Sequence, residues 1–225
     1  MGRGTGRAGV HLIRFVDGGA GLWHGEGVFS PGESPFHVRG TTYLGIRDYA
    51  KAHVQGGMDA VVRALPEGPH RAFAGQMFVG TGWYDALPLR PLTEMVAKLE
   101  GRSWEDSVRT RAAEVARRDL NVFRRVLFLA LRPEKVVERL QLAALQYFDF
   151  GKTEIVEADK GHSKVIFHEV PQPLGPWFLP MMQGYAGVLI EAAGGKQPQI
   201  GGRLIPKGNR EGMGLVDVHV DMRWG

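Results

Sequence analysis

The last apolar-polar alternating segment of the chain carries the residues best suited to chemistry. Asp217, His219 and Asp221 occupy every second position between Leu215 and Trp224. Side chains two apart on a strand share a face, with backbones about 6.6–7 Å apart, so these groups can converge on a metal ion or pair a base with an acid. A sheet with one face in water produces the same alternation, and we favour that interpretation. A metal-dependent enzyme stays an alternative hypothesis.

A second set of charged residues lies on a long helix predicted after Ser103. Its arginines form a ridge that suits a phosphate or an acidic partner, and they are our candidate partner-binding residues: Arg117, Arg118, Arg124 and Arg125. Acidic residues are interleaved with them, which is equally typical of a solvated helix surface. The chain has 28 basic and 24 acidic residues and a net charge of +4, an excess too small to favour a nucleic-acid-binding regulator, which we keep as a further alternative.

A third set is aromatic and rich in methionine. Trp177, Met181, Met182 and Tyr185 occur within one predicted helix, and Phe148 precedes the strands. Such residues ordinarily form core. They also suit a pocket for an apolar ligand between this helix and the sheet, or a subunit contact, because methionine adapts to irregular surfaces. These five are the candidate ligand-binding residues.

The sequence lacks the motifs of several enzyme classes. The chain has no cysteine, which excludes disulfides, thiolate nucleophiles and cysteine-ligated metals. It contains neither a Gly-x-Ser-x-Gly elbow nor a His-Glu-x-x-His pair. We therefore predict no catalytic residues and no metal ligands, and the residues name no cofactor.

Length and composition indicate one globular domain. The 225 residues are 44% apolar and 23% charged, which is enough apolar material for a core. No run of about 18 apolar residues predicts a membrane span, and nothing resembles a signal peptide, so we expect a cytoplasmic protein. Residues 1–37 are glycine-rich and predict a flexible leader or additional edge strands. Residues 38–225 form the predicted domain.

The first half of that domain is predicted to be helical. Apolar spacing and glycine or proline boundaries indicate helices over 42–53, up to Leu65, over 71–78, and from Pro88 or Pro91 to Gly101. Ser103 suits an N-cap of a helix reaching Leu131, with a break near residues 119–121. Pro133 begins another helix that ends at Gly151.

The last third predicts strand, strand, helix, strand, strand. The strands cover about 153–158, 164–170, 197–206 and 215–224, and residues 177–193 form the helix. A glycine-rich loop over 207–214 joins the last two strands. We expect Gly184 and Gly187 to let the helix pack closely on the sheet. The fold class is therefore α+β, with an N-terminal helical bundle followed by a β-β-α-β-β antiparallel unit.

The order of several short motifs resembles a known family. Val38-Arg-Gly40, the helix pair ending at Pro66, the Gly82-Trp-Tyr84 turn and Gly184-Tyr185 look like a myxobacterial paralogous family of domains of unknown function. The likeness runs from Phe36 to Trp224.

More loosely, the strand–strand–helix–strand–strand ending is similar to four-vinyl-reductase-type domains, haem–nitric-oxide-binding domains and TRAPP vesicle-tethering subunits. Those domains hold small apolar ligands, haem or acyl chains between helices and sheet. The haem–nitric-oxide-binding family carries Tyr-x-Ser-x-Arg for the haem propionates, and this sequence has no such triplet. His53 is the best-placed helical histidine.

The combined expectation is a non-catalytic cytoplasmic sensory or adaptor module in signalling. It binds an apolar small molecule, or docks a second copy of itself or another partner protein, through the helix over 177–193. The metal-dependent enzyme and the nucleic-acid-binding regulator are the alternatives.

Overall fold

The computed structural model describes residues 29–120 and 132–225. Within these ranges the chain forms seven α-helices, six strands and one 3₁₀ turn, Gln172–Leu174. The helices are α1 (Gly40–His53), α2 (Gly57–Ala64), α3 (Pro69–Gly75), α4 (Leu89–Glu100), α5 (Trp104–Leu120), α6 (Pro133–Tyr147) and α7 (Gly175–Ala192). The strands are β1 (His37–Arg39), β2 (Trp83–Asp85), β3 (Lys152–Asp159), β4 (His162–Pro171), β5 (Gln199–Arg210) and β6 (Met213–Arg223).

The α+β prediction is confirmed. Helices dominate the first half, and the second half runs β3, β4, α7, β5, β6. The four long strands form one antiparallel sheet in the order β3-β4-β6-β5. Strand β6, last in the chain, is therefore central, with a partner on each side.

The predicted alternation in β6 matches its burial. Val218, Val220 and Met222 are fully or almost fully buried, and they lie on the face covered by α7. Helix α7 is attached there by several direct contacts. A Cβ on Gly175 would meet Val216, a Cβ on Gly202 would meet Leu179, and the Gln183 amide donates to the Ile200 carbonyl at 3.0 Å.

The role expected for Gly184 is corrected. A Cβ at this position would lie 3.0 Å from both the Ala112 Cβ and the Ala113 nitrogen, and it would collide with the Arg109 carbonyl. All three belong to α5, not to the sheet. Gly187 is looser, because its nearest outside neighbour is Pro198 at 4.0 Å. Gly184 therefore permits the close crossing of α5 and α7.

Helix α5 begins as predicted. Ser103 accepts a hydrogen bond from the Asp106 backbone N–H at 3.2 Å, and the acids of the first turn complement the helix dipole. The structure describes α5 as far as Leu120. The predicted break near residues 119–121 and the second part of the long helix lie outside the described residues.

Three local predictions were wrong. The short helix begins at Pro69 and ends at Gly75, because Pro69 sits at the start of the helix, where its missing N–H costs nothing. Helix α6 ends at Tyr147, since Phe148 bridges to Val38 and the next residue bonds to the carbonyl of His37. The third error concerns the loop over 207–214, which is almost entirely strand.

A tight turn replaces that loop. Strands β5 and β6 pair up to Arg210 and Met213, leaving only Glu211 and Gly212 between them. Both have positive φ, 53° and 84°. Two positive φ angles are the signature of the type I′ hairpin turn, whose twist matches that of the flanking strands.

The sequence did not predict the small sheet formed by β1 and β2, which pairs His37–Arg39 with Trp83–Asp85. The preceding residues are packed: Phe36 is fully buried, and Ser34 is 2% exposed and bonded to Asp85. Residues 1–28, with most of the predicted leader, lie outside the described residues. In the described ranges, none of the helices combines the length and the apolar character that crossing a bilayer requires.

Candidate functional site

A cavity of about 360 Å³ lies where α1, α5, α6 and α7 meet. Its volume is at the lower end of the roughly 300–1,000 Å³ typical of small-molecule sites. The wall is mainly apolar, and its described residues are Thr41, Thr42, Leu44, Gly45, Asp48, Arg111, Ala112, Val115, Arg118, Asp119, Leu140, Tyr147, Phe148, Phe167, Trp177, Met181, Met182 and Tyr185.

All five candidate ligand-binding residues lie in this wall. Trp177, Met181, Met182 and Tyr185 share one face of α7, because residues three, four and eight apart on a helix lie together. Phe148 reaches the same place from the end of α6, with its ring centroid 6.4 Å from that of Trp177 in an edge-to-face arrangement.

The cavity differs in position from the predicted one. We expected it between α7 and the sheet, but Phe167 is the only described residue of the four-stranded sheet in its wall. The sheet face of α7 is filled by direct packing, as at Gly175 and Leu179. The space lies instead on the opposite side of α7, against α1 and α5.

Sequence reasoning missed Arg111, the most unusual residue of the wall. It is 6% exposed, and its Nη2 is buried without a hydrogen-bond partner among the described residues. Its guanidinium carbon lies 5.7 Å from the centre of the Trp177 ring. Burial lowers the pKa of Arg111 to about 10, which still leaves it charged at neutral pH.

A signal for Arg111 is present in the sequence. It follows Val108 by three residues and precedes Val115 by four, so it interrupts an apolar helix stripe that also contains Ala112. An arginine inside such a stripe is either buried with the stripe or shifts the buried face of the helix away from itself. Sequence reasoning gave Arg111 no role and assigned a surface ridge to Arg117, Arg118, Arg124 and Arg125.

Trp177 has a second unpaired donor. Its side chain is 3% exposed, and its indole Nε1 is buried without a partner in the described parts of the chain. Buried polar groups in folded proteins are nearly always hydrogen-bonded, so an unpaired one calls for a specific explanation. Here the two residues that carry such donors, Arg111 and Trp177, both line the same cavity.

The other charged groups of the wall are paired. Arg118 contacts Asp48 at 3.0 Å, and both are largely exposed. The Tyr185 hydroxyl donates to Asp119 at 2.9 Å. Of the proposed basic ridge, Arg117 is exposed and Arg118 forms this pair, while Arg124 and Arg125 lie outside the described residues.

The polar face of β6 is less open to water than we expected. Asp217 is only 5% exposed, and it contacts His168 at 3.0 Å, Lys207 at 3.3 Å and the Glu169 backbone N–H at 3.0 Å. These contacts hold the β-bulge between Phe167 and Val170, where Glu169 has a φ of 55°. Asp217 is thus buried by the groups that it binds.

The convergence of Asp217, His219 and Asp221 that the metal-dependent alternative requires does not occur. Asp217 binds His168, whereas Asp221 contacts His162 at 3.2 Å and Arg223 at 3.0 Å. Over residues 29–120 and 132–225, no three His, Asp or Glu side chains are grouped so as to hold a metal ion. The metal-dependent alternative therefore has no geometric support on this strand.

None of the described histidines lines the cavity. His53, the helical histidine singled out from the sequence, instead stacks on Tyr49 with ring centroids 4.2 Å apart and contacts Glu114 at 3.0 Å.

Comparison with solved structures identifies the fold. An Fe(II) unliganded H-NOX protein from K. algicida superposes with a TM-score of 0.57 at 10% identity, covering 83% of this chain and 96% of its own. A point mutant of the H-NOX from T. tengcongensis gives a TM-score of 0.52 at 10% identity, covering 82% and 97%. The chain has the H-NOX fold.

At this level of identity the likeness concerns the fold alone. It agrees with the looser of the two sequence resemblances, the one to haem–nitric-oxide-binding domains. No family model matches the chain, and no curated protein matches it either. The resemblance to the myxobacterial family therefore rests only on the motifs quoted for it.

Proposed function

We propose that this protein is a non-catalytic sensory module that holds an apolar small molecule in the cavity between α1, α5, α6 and α7. The observation that carries the proposal is the cavity itself, about 360 Å³ in volume and lined mainly by apolar side chains. A well-packed core leaves few voids larger than a water molecule, so a space of this size suits a ligand.

The H-NOX fold supports a sensory role but supplies no ligand. One similar structure belongs to a study of heme redox potential and porphyrin distortion; it superposes with a TM-score of 0.51 at 12% identity, covering 81% of this chain and 98% of its own. Haem iron is held by His, Cys, Met or Tyr side chains. The described wall of this cavity contains no histidine, and the chain has no cysteine. The wall does hold Met181, Met182, Tyr147 and Tyr185, but methionine ligates haem beside a histidine, and Tyr185 is bonded to Asp119.

The residues present therefore do not fit a histidine-ligated haem. The absence of a Tyr-x-Ser-x-Arg triplet points the same way. We infer that the fold is used here for a different, smaller apolar ligand. Cavity-lining residues from α1, α5 and α7 would all contact such a ligand, so its binding would favour one packing of these three helices.

A cavity-filling substitution tests the proposal. Gly45 lies in the wall, and a Cβ there would be 3.8 Å from Arg118 and 4.0 Å from Val115, at ordinary contact distances. Both neighbours are side-chain atoms, so a leucine at this position meets no backbone of another element and takes up space at the wall. Gly75→Leu is a matched control, because Gly75 is an exposed helical glycine outside the wall.

The experiment is a fluorescence titration with aminoanthracene, a small neutral aromatic probe, together with native mass spectrometry of the purified protein. The wild type and Gly75→Leu should bind the probe alike, and Gly45→Leu should bind it at least about tenfold more weakly. Equal binding by all three proteins, or no binding to the wild type, would rule out the cavity as the ligand site.

A further inference from the structure

The two unpaired donors of the cavity restrict the chemistry of its ligand. Arg111 Nη2 and Trp177 Nε1 are both buried, and neither has a hydrogen-bond partner among the described residues. A buried donor left unsatisfied destabilises the folded state, and a charged one does so more strongly. Both side chains line the same wall, with the guanidinium beside the indole ring.

The charge of Arg111 is also uncompensated by any direct ion pair in the described parts of the chain. Glu100 acts on it electrostatically, but that carboxylate accepts hydrogen bonds from the Tyr49 hydroxyl at 2.7 Å and from the Ser107 hydroxyl. The other acids of the wall, Asp48 and Asp119, are engaged by Arg118 and Tyr185. One cation and two N–H donors thus remain for a ligand.

We propose that the ligand is an amphiphilic carboxylic acid whose carboxylate binds the guanidinium of Arg111 and the indole N–H of Trp177, while its apolar body fills the rest of the cavity. This inference rests on the proposed function, since it assumes that the cavity is the ligand site. A carboxylate supplies one negative charge and two acceptor oxygens, which match the single free cation and the two donors.

A phosphate monoester fits less well. It carries up to two negative charges, and the described residues of the wall offer only one cation without a direct ion pair. The carboxylates of Asp48 and Asp119, which also line the wall, would repel the second charge. A neutral apolar molecule would leave both donors unsatisfied, as they are without a ligand.

Calorimetric titration with decanoate, decanol and decyl phosphate tests the inference on the full chain. These probes share an apolar tail and differ in the head group. The wild type should bind decanoate at least about tenfold more tightly than either of the others, because a hydrogen bond between charged groups is stronger than one between neutral groups.

Three variants identify the donors. Arg111→Met should bind decanoate and decanol equally, and it should fold, since it replaces a buried unpaired charge with an apolar side chain of similar length. Trp177→Phe should weaken decanoate several-fold and leave decanol unchanged. Arg109→Met is the control, because Arg109 is exposed on the same helix and pairs with Asp106; it should keep the wild-type preference.

The outcomes separate this inference from the function on which it rests. Equal binding of decanoate and decanol by the wild type would overturn the carboxylate inference and leave an apolar ligand site. A preference for decyl phosphate would replace the carboxylate with a phosphate head. If Arg111→Met still preferred decanoate, the carboxylate would be bound by a residue other than Arg111. Binding of none of the three probes would overturn both proposals.

Discussion

A Cβ atom on Gly184 of α7 would collide with the main-chain carbonyl oxygen of Arg109 in α5. The two backbones are therefore in direct contact at this point, and Arg111, two residues further along α5, is brought beside Trp177 on α7. The width of the cavity between these helices depends on this contact. A glycine in the middle of a helix here sets the geometry of the candidate site.

We expect Gly184→Ala to destabilise the protein by about 2 kcal/mol or more, because the added methyl group forces the two helices apart. In an exposed helix the same change would stabilise by up to about 1 kcal/mol. Gly187→Ala is the matched control, three residues along the same helix, where a Cβ is 4.0 Å from its nearest outside neighbour. Urea denaturation should show a loss for the first variant and no loss for the second. Equal stability of the two variants would contradict the close contact.

A second prediction concerns Asp85, which ties residues before β1 to the domain. Its carboxylate accepts hydrogen bonds from Gly32 N–H at 2.8 Å, the Ser34 hydroxyl at 2.5 Å and Leu87 N–H at 2.9 Å, and it is 2% exposed. We expect Asp85→Ala to cost about 3 kcal/mol, since it leaves several buried donors without an acceptor. Amide exchange at Gly32 should accelerate in the variant.

Asp59→Ala provides the control for this measurement. Asp59 is exposed in the first turn of α2, where its charge contributes only a few tenths of a kcal/mol through the helix dipole. If Asp85→Ala and Asp59→Ala had the same stability, the segment from Gly32 to Phe36 would not be held by this carboxylate.

Sequence patterns predicted the parts of the fold that depend on neighbouring residues. The alternation in β6 and the apolar character of α7 both indicated burial, and Ser103 and Pro133 marked helix starts, because these signals act within a few residues. The five aromatic and methionine residues assigned to a ligand site do lie together in one wall. Helical periodicity alone accounts for the common face of the four on α7, whereas Phe148 reaches the wall from the end of α6.

The rest depended on long-range contacts that no local pattern encodes. Gly184 and Gly187 are both glycines within the apolar sequence of α7, and only the crossing of α5 over α7 distinguishes them. Arg111 looks like its arginine neighbours until the helix is seen to face a cavity. Asp217 alternates with valines like a solvent-exposed residue, but His168 and Lys207 from adjacent strands bury it.

The third prediction follows from His168, which lies between two carboxylates on neighbouring strands. Its Nδ1 is 3.0 Å from Asp217 and its Nε2 is 2.8 Å from Glu154. Burial alone would lower the pKa of His168, but the hydrogen bonds to these acids outweigh it, and the pKa is raised above the usual 6.5. Protonated His168 therefore stabilises the folded state.

The stabilisation is complete below pH 6.5, where the histidine of the unfolded chain is also protonated, and it is lost as the pH rises through the higher folded-state pKa. His168→Gln should reduce the unfolding free energy by about 1 kcal/mol near pH 5.5, and by less near pH 9. Urea denaturation of the wild type and His168→Gln at both pH values measures the difference. A constant difference between the wild type and His168→Gln at all pH values would contradict the charge interaction.

The turn between β5 and β6 gives the last prediction. Glu211 has a φ of 53°, a left-handed conformation that costs a glutamate about 1 kcal/mol and that asparagine adopts more readily. Glu211 is exposed, and its contact with Arg210 is 3.8 Å long, so its side chain contributes little that asparagine would lose. We expect Glu211→Asn to stabilise the protein by about 0.5–1 kcal/mol.

Gly212→Ala should destabilise the protein by a similar amount, because Gly212 has a φ of 84°. Thermal unfolding of the two variants should move the melting temperature in opposite directions; a shift in the same direction would mean that residues 211 and 212 do not form this turn.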